Sequence, residues 1–512
     1  MNRIFSTLVI IICSSGLPSY SQGNDVIYQY ETNIEEVEDD KLQVKLTIGG
    51  LSEETLTYCF PKIIPGIYGA MNFGQYISSF QVYDKAGQLM EVQKTGENCW
   101  EITKANQIAS LSYLVDDAWE KFDDTMERGF YRSAASSFGD SVYVITPHSL
   151  FGYFRGYTDH AVEVKVRKKK GIYPATSLTK TMAEKEDVFF AEDYHQLVDN
   201  PILYAKPDTT SIELPGISVE VACYSTSGGS ISGAIAEYIR PLLQGQAKYL
   251  DNQLPVDKYT FIIYHNFRPG STSILGDGLE HSNSTLILLF MPLDMEVIRQ
   301  NVYGIASHEF FHTLMPLGLH SHEIENYDYN EPEFSKHIWL YEGMTEYFTI
   351  HMPVWTGLGS VQEFLDEVAV KADAMKEFDP ELSITSLSRN PMENQDQYYN
   401  VYLKGALLNL CLDVYLREWS KGKYGVKDMV MQLMRKYGKD QPFEDDTFFE
   451  EIISVTGFDG VREFINKYIE GTEPLPLEDV LNKVGYTLNK GKIVEMDHPT
   501  PEQLKLRKSW LN

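Results

Sequence analysis

Three patterns of apolar and polar positions divide the chain. From about residue 26 to 170, apolar side chains recur at every second position. In KLQVKLTI, Leu42, Val44, Leu46 and Ile48 share one face; in AVEVKVRK, Val162, Val164 and Val166 do the same, and SVYVITP lies between them. Successive side chains of an extended chain point to opposite sides, so this period predicts strands of an antiparallel sheet. The basic run Arg167 to Lys170 stops at Gly171 and reads as a solvated strand end. Residues 171 to 210 read as a connector. Strands then alternate with helix: ISVEVACY and YTFIIYH are strands, with a helical stretch from Ile231 to about Leu250 between them. The glycines and serines of STSGGSISG match no phosphate-binding spacing and read as a flexible turn. After residue 357 the apolar spacing becomes three-and-four, in SVQEFLDEVAVKADAMKEF, KGALLNLCLDVYLREW, VKDMVMQLMRKYG, DTFFEEIISVTG and VREFINKYIEG, which predicts a helical third part. Residues 489–512 are polar and read as a surface tail.

Composition narrows the class. At 512 residues the chain exceeds one ordinary core, so a multidomain α+β protein is expected. Apolar residues at 43% and charged residues at 23% suit a globular chain with real cores. The net charge of -29 repels phosphate backbones and anionic lipid, which argues against nucleic acid as a partner. The opening MNRIFSTLVIIICSSGLPSYSQ has one early positive charge, an apolar run from Ile4 to Cys13 and then small polar residues, the pattern of a signal peptide over residues 1–21. A secreted or periplasmic protein is therefore expected. Cys13 makes a poor lipoprotein acylation site because the bulky Ile12 precedes it. No run reaches the ~20 apolar residues of a membrane span. Beyond Cys13, four cysteines remain: Cys59, Cys99, Cys223 and Cys411. They are too few and scattered for a disulfide scaffold, though Cys59 and Cys99 could pair in an oxidising compartment.

The stretch ASHEFFHTL carries the chemistry. Residues four apart share a helix face, so His308 and His312 can aim two imidazoles at one ion with Glu309 beside it, the arrangement of zinc proteases. The helix QNVYGIASHEFFHTLM is apolar enough for burial and Pro316 suits its end. A catalytic zinc takes three protein ligands, so a third lies downstream. Met315 and Gly318 stand where a metzincin needs Gly and His, which excludes that class. His320, His322 and Glu323 compete for the place but follow a helix-ending proline. IWLYEGMTEYF offers Glu342 and, four residues on, Glu346: one carboxylate could bind the metal while the other accepts a hydrogen bond from a ligating imidazole.

With HEFFHT, WLYEGMTEYF and YLKGALLNLCLD in place, the chain resembles the glycyl aminopeptidase family of gluzincin metallopeptidases over most of its length. YCFPKIIPGIYG is similar to that family's sheet domain, and GLEHSNSTLI to the strand before its zinc helix. The resemblance implies an N-terminal antiparallel β-sheet domain over residues 22–205, a thermolysin-like α/β zinc catalytic domain over 206–356 and an α-helical domain over 357–488. It implies His308, His312 and Glu342 as ligands of one zinc per chain, Glu309 as general base, Tyr402 as donor to the tetrahedral intermediate, and Glu280 as anchor of the substrate's free amino terminus. Many members carry a PDZ domain after the helical part, and the chain after VLNKVGYTL is too short for one.

The expected function is a zinc aminopeptidase acting on peptides with a free amino terminus, with glycine or other small first residues suggested by the family name. A zinc endopeptidase with the same centre, in which Glu280 is structural, is the alternative. A catalytically silent peptide-binding protein is a third reading, opposed by the intact metal-binding residues. The sequence leaves the oligomeric state open.

Overall fold

The computed structural model describes residues 27–119, 132–267, 274–439 and 441–511. The expected signal segment and Cys13 lie outside the described residues. The period-two segments form three sheets. The largest has seven strands, in the spatial order Thr179–Met182, Glu186–Ala191, Val162–Arg167, Tyr28–Asn33, Lys41–Thr47, Ile108–Asp116 and Ile77–Asp84. Its pairs are antiparallel except that Tyr28–Asn33 runs parallel to Val162–Arg167, so the sheet is mixed. Parallel neighbours need a long crossover, and here the crossover contains the rest of the β region. Tyr28, Tyr30, Leu42, Val44 and Leu46 fill the core on one side of this sheet, as their alternation requires.

Two four-stranded sheets complete this part. In one, Thr55–Cys59 pairs with Cys99–Thr103 so that Cys59 stands opposite Cys99, and the two form a disulfide. The segment expected to be a connector is instead built into the sheets: Glu186–Ala191 pairs with Val162–Arg167, and Ile202–Ala205 with Tyr143–Ile145. The basic run is not wholly solvated either. Lys168 is buried and its Nζ lies 2.7 Å from the buried Asp187 carboxylate, a pairing that a charge taken from water requires.

The next sheet has five strands, in the order Thr209–Leu214, Ile217–Ser225, Lys258–Asn266, Ser284–Phe290 and Leu275–His281. Its three central strands are parallel, and the last strand is an antiparallel edge. Central parallel strands are buried on both faces. Here Phe261, Ile263, Ile287 and Leu289 pack into the core shared with the helices, while Ile262, Tyr264, Leu286 and Leu288 pack against Val144, Ala175 and Leu203 of the N-terminal part. The five-stranded sheet is thus the middle layer that joins the β region to the helical one.

On its helical side lie Ser232–Tyr249 and Met295–Phe311, the latter called here the histidine helix. Asp294 starts it by accepting from the backbone N–H groups of Glu296 and Val297. Ile338–Thr356, the glutamate helix, is apolar almost all round and correspondingly buried; it ends at Gly357 in the left-handed region. It packs along Asn400–Trp419, the tyrosine helix. The approach is close because both contact residues are glycines: a Cβ on Gly343 would stand 2.4 Å from the Gly405 backbone, and one on Gly405 would stand 2.8 Å from Gly343 Cα and Trp339 O.

The expectation of a polar tail at 489–512 is overturned. Tyr486–Asn489 and Lys492–Glu495 form a hairpin, and Pro501–Leu511 is a helix whose Trp510 is fully buried. Trp510 Nε1 donates to Tyr347 Oη at 3.0 Å, and its carbonyl accepts from His351 Nε2 at 2.8 Å. A polar stretch with one large apolar anchor carries too weak a periodicity to show this from sequence.

Gly405→Ala should lower stability by roughly 1–3 kcal/mol, as overpacking at a backbone contact does, measured by urea unfolding. Replacing Cys59 and Cys99 together by Ser, which opens a loop of 40 residues, should lower the unfolding free energy of the β part by about 2–4 kcal/mol in the same assay.

Candidate metal centre

The histidine and glutamate helices meet at three side chains. His308 lies in the last turn of its helix, and His312 is the C-cap residue, still right-handed at φ -62° and ψ -19°, so both imidazoles keep one face. Glu342 comes from the first turns of the glutamate helix. His308 Nε2 and His312 Nε2 are 3.1 Å apart, and Glu342 Oε2 is 3.5 and 3.3 Å from them. Bonds of ~2.0–2.2 Å at tetrahedral angles put donor atoms ~3.3 Å apart. Two nitrogens and one carboxylate oxygen at these separations fit a zinc ion with a fourth corner left over.

The surrounding contacts orient each donor. His312 Nδ1–H donates to the Met315 carbonyl at 3.1 Å, which turns Nε2 inward. His308 Nδ1–H donates to Glu346 Oε2 at 3.0 Å, and the other Glu346 oxygen is paired with Lys371 of the helix Val361–Ala374. A carboxylate behind a ligating imidazole fixes its tautomer. The Tyr68 hydroxyl, from the N-terminal part, stands 3.5 Å from Glu342 Oε1, the carboxylate's other oxygen.

Electrostatics follow from burial of so many charges. Burial opposes a charged imidazole at His308, but hydrogen bonds to Glu342 and Glu346 outweigh it and hold the group well above its ordinary value. Burial likewise opposes charge on His312, yet Glu342 and Glu280 lift it to about 9. Burial would raise Glu342 and Glu346; the imidazoles, with Lys371 in the second case, win and hold each at about 2. Burial raises Glu309 to about 7 against the pull of the two imidazoles. Glu309 is only 7% exposed. Gly278 makes the space: a Cβ there would come 2.7 Å from Glu309 Oε1.

Glu280 lies on the edge strand Leu275–His281, and its carboxylate is within 4.8 Å of donor atoms of Glu309 and His312. Burial raises its pKa, partly offset by His312 and reinforced by Glu342. Gly66, at φ +79°, lets the backbone of the N-terminal part lie on this carboxylate; a Cβ there would be 2.6 Å from both oxygens. Tyr402, near the start of the tyrosine helix, has its ring 5.8 Å from that of His308. The competitors are elsewhere: His320 pairs with Glu325 at 2.9 Å and His322 with Glu444 at 3.2 Å.

The sequence matches the Peptidase M61 N-terminal domain over residues 29–206 and M61 glycyl aminopeptidase over residues 301–415. The chain belongs to the M61 peptidase family. It is accordingly a metallopeptidase. No curated protein matches the sequence. Among solved structures, the aminopeptidase N family protein of Idiomarina loihiensis aligns with this M61 chain at a TM-score of 0.77 and 21% identity, covering 90% of this chain and 79% of that one. Native leukotriene A4 hydrolase from Saccharomyces cerevisiae aligns at 0.52 and 13% identity, over 92% and 73%. The M1 zinc metallopeptidase of Deinococcus radiodurans, bound to a Tyr-Ser-Ala substrate, aligns at 0.50 and 14% identity, over 88% and 96%. At these identities the likeness is one of fold.

The structure brings His308, Glu309, His312, Glu342, Glu346, Glu280 and Tyr402 of this M61 chain to one place. Sequence reasoning missed Tyr68, Lys371 and the two glycines. Lys371 left a signal, a cation on the buried stripe formed by Phe364, Leu365, Val368 and Ala372. Tyr68 and Gly66 lie in YCFPKIIPGIYG, but that stretch gives no sign of where it meets the site, since Tyr68 reaches Glu342 across 274 residues of chain. Glu346→Gln should weaken zinc binding by about 10–100-fold, measured by competition with a chelator, while thermal unfolding of the metal-free protein changes little.

Proposed function

We propose that the chain is a zinc aminopeptidase that removes residues from the free amino ends of peptides. The observation that supports this most is the position of Glu280: a second anionic group, backed by Gly66 and within 4.8 Å of Glu309 and His312, beside a set of donors suited to zinc. An aminopeptidase has to hold the substrate's ammonium, two bonds from the scissile carbonyl carbon of the same residue, and charge-assisted bonds to an anion there are strong. The tripeptide bound to the Deinococcus radiodurans metallopeptidase supports peptides as the substrate class.

His308, His312 and Glu342 would hold the metal, and zinc there would supply Lewis acidity that favours ionisation of a water at neutral pH and polarises the carbonyl. Glu309 accepts the proton of the attacking water and delivers it to the leaving amine; a carboxylate held near neutral pKa does both. Tyr402 donates a hydrogen bond to the oxyanion. Glu280 holds the ammonium. Glu346 and Lys371 keep His308 oriented. The Cys59–Cys99 disulfide supports secretion or a periplasmic location, where oxidising conditions maintain such bonds.

The endopeptidase reading has one observation in its favour. A cleft of about 870 Å³ runs past Glu280 between Asp199, His281, Leu317 and Tyr329, and could take residues on the amino side of the scissile bond. Amino-acyl anilides tested beside their N-acetyl forms separate the two: an aminopeptidase cleaves the first and spares the second. Glu309→Gln should retain stoichiometric zinc by elemental analysis and lose about 10²–10⁴-fold in kcat. Cleavage of the acetylated substrates at comparable rates, or an active Glu309→Gln, would overturn the proposal.

A further inference from the structure

The anchor Glu280 sits in a weak position for a group that must be placed accurately. Its strand is the edge of the five-stranded sheet, paired on one side only among the described residues, and Glu280 is one residue from the end of that strand. The turn that follows, Ser282–Asn283, is pinned from outside. Ser282 N–H donates to both oxygens of Asp199, at 3.3 and 3.1 Å, and His281 Nδ1 stands 3.4 Å from Asp199 Oδ1. On the other side of the turn, Ser177 Oγ donates to the Asn283 carbonyl at 2.7 Å. Ser177, between the strands Tyr173–Ala175 and Thr179–Met182, and Asp199, at the end of the helix Tyr194–Val198, both belong to the N-terminal β region, and Gly66 of the same region lies on the Glu280 carboxylate.

We propose that Asp199 is a positioning residue for the substrate's amino terminus, acting through the Ser282–Asn283 turn to fix how far Glu280 stands from the metal-binding residues. This rests on the reading of Glu280 as the amine anchor. The ammonium and the scissile carbonyl sit on one residue, separated by its Cα alone, so an anchor displaced by about 1 Å no longer lets both groups reach their partners. The polar contacts of Asp199 are with His281 and Ser282, beside Glu280, and none is with His308, His312 or Glu342. Its effect therefore falls on the amine alone, which separates it from a residue that merely keeps the protein folded.

Two hydroxamates test this by calorimetry on zinc-loaded protein: glycine hydroxamate, which has the amine, and acetohydroxamic acid, which lacks it. The wild type should bind glycine hydroxamate more tightly. Asp199→Ala should bind it about 10–100-fold less tightly than the wild type does, with acetohydroxamic acid bound as before. Asp199→Asn, which keeps one oxygen to accept from Ser282, should show a smaller loss in the same direction, and Ser177→Ala likewise; these two carry the test if Asp199→Ala fails to fold. Retention of the full preference in the variants, or equal weakening of both ligands, overturns the role of Asp199. A wild type that does not distinguish the two ligands removes the anchor reading of Glu280 and this inference with it.

Discussion

Four carboxylates crowd one buried place, and the balance of their charge constrains everything around it. Glu280, Glu309, Glu342 and Glu346 lie about two imidazoles in a region largely withdrawn from water. Unpaired, they would cost several kcal/mol each. Lys371 balances Glu346 from outside the triad. Under the proposed function a divalent ion and a substrate ammonium would balance much of the rest. A cluster of this charge is suited to binding cations.

Holding such a cluster requires rigid surroundings from several directions. The histidine helix rests on the central sheet through an apolar face that includes Val302, Ala306 and Phe310. The glutamate helix is gripped by the tyrosine helix at the Gly343–Gly405 contact, one residue from Glu342 and three from Tyr402. The C-terminal helix then fastens the far end of the glutamate helix through Trp510, His351 and Tyr347. The N-terminal sheets contribute by reaching in: Tyr68 to Glu342, Gly66 to Glu280 and Asp199 to the turn beyond it. The β region is thus a wall of the site as well as a separate fold.

Much of this was legible along the chain, and the parts that were share one property. The two histidines and Glu309 are related by the turn of a single helix, so their meeting follows from local geometry. The alternation in KLQVKLTI and AVEVKVRK, and the three-and-four spacing after residue 357, follow equally from the shape of a strand or helix exposed on one side. The reading failed where the pattern was weak or the context remote. Residues 171–210 are short strands between turns, and residues 489–512 are polar apart from Trp510 and a few others, so neither period rose above the background.

Sequence alone thus determined the strongly periodic elements and the histidine–glutamate motif, because each depends on residues a few positions apart. Which carboxylate faces the histidines and which stands behind them was decided by how two helices cross, and sequence spacing left Glu342 and Glu346 open. The approach of Glu280, the reach of Tyr68 and the burial of Trp510 were decided in the same way. They join residues tens to hundreds of positions apart, and only the packing of the layers between them sets those distances.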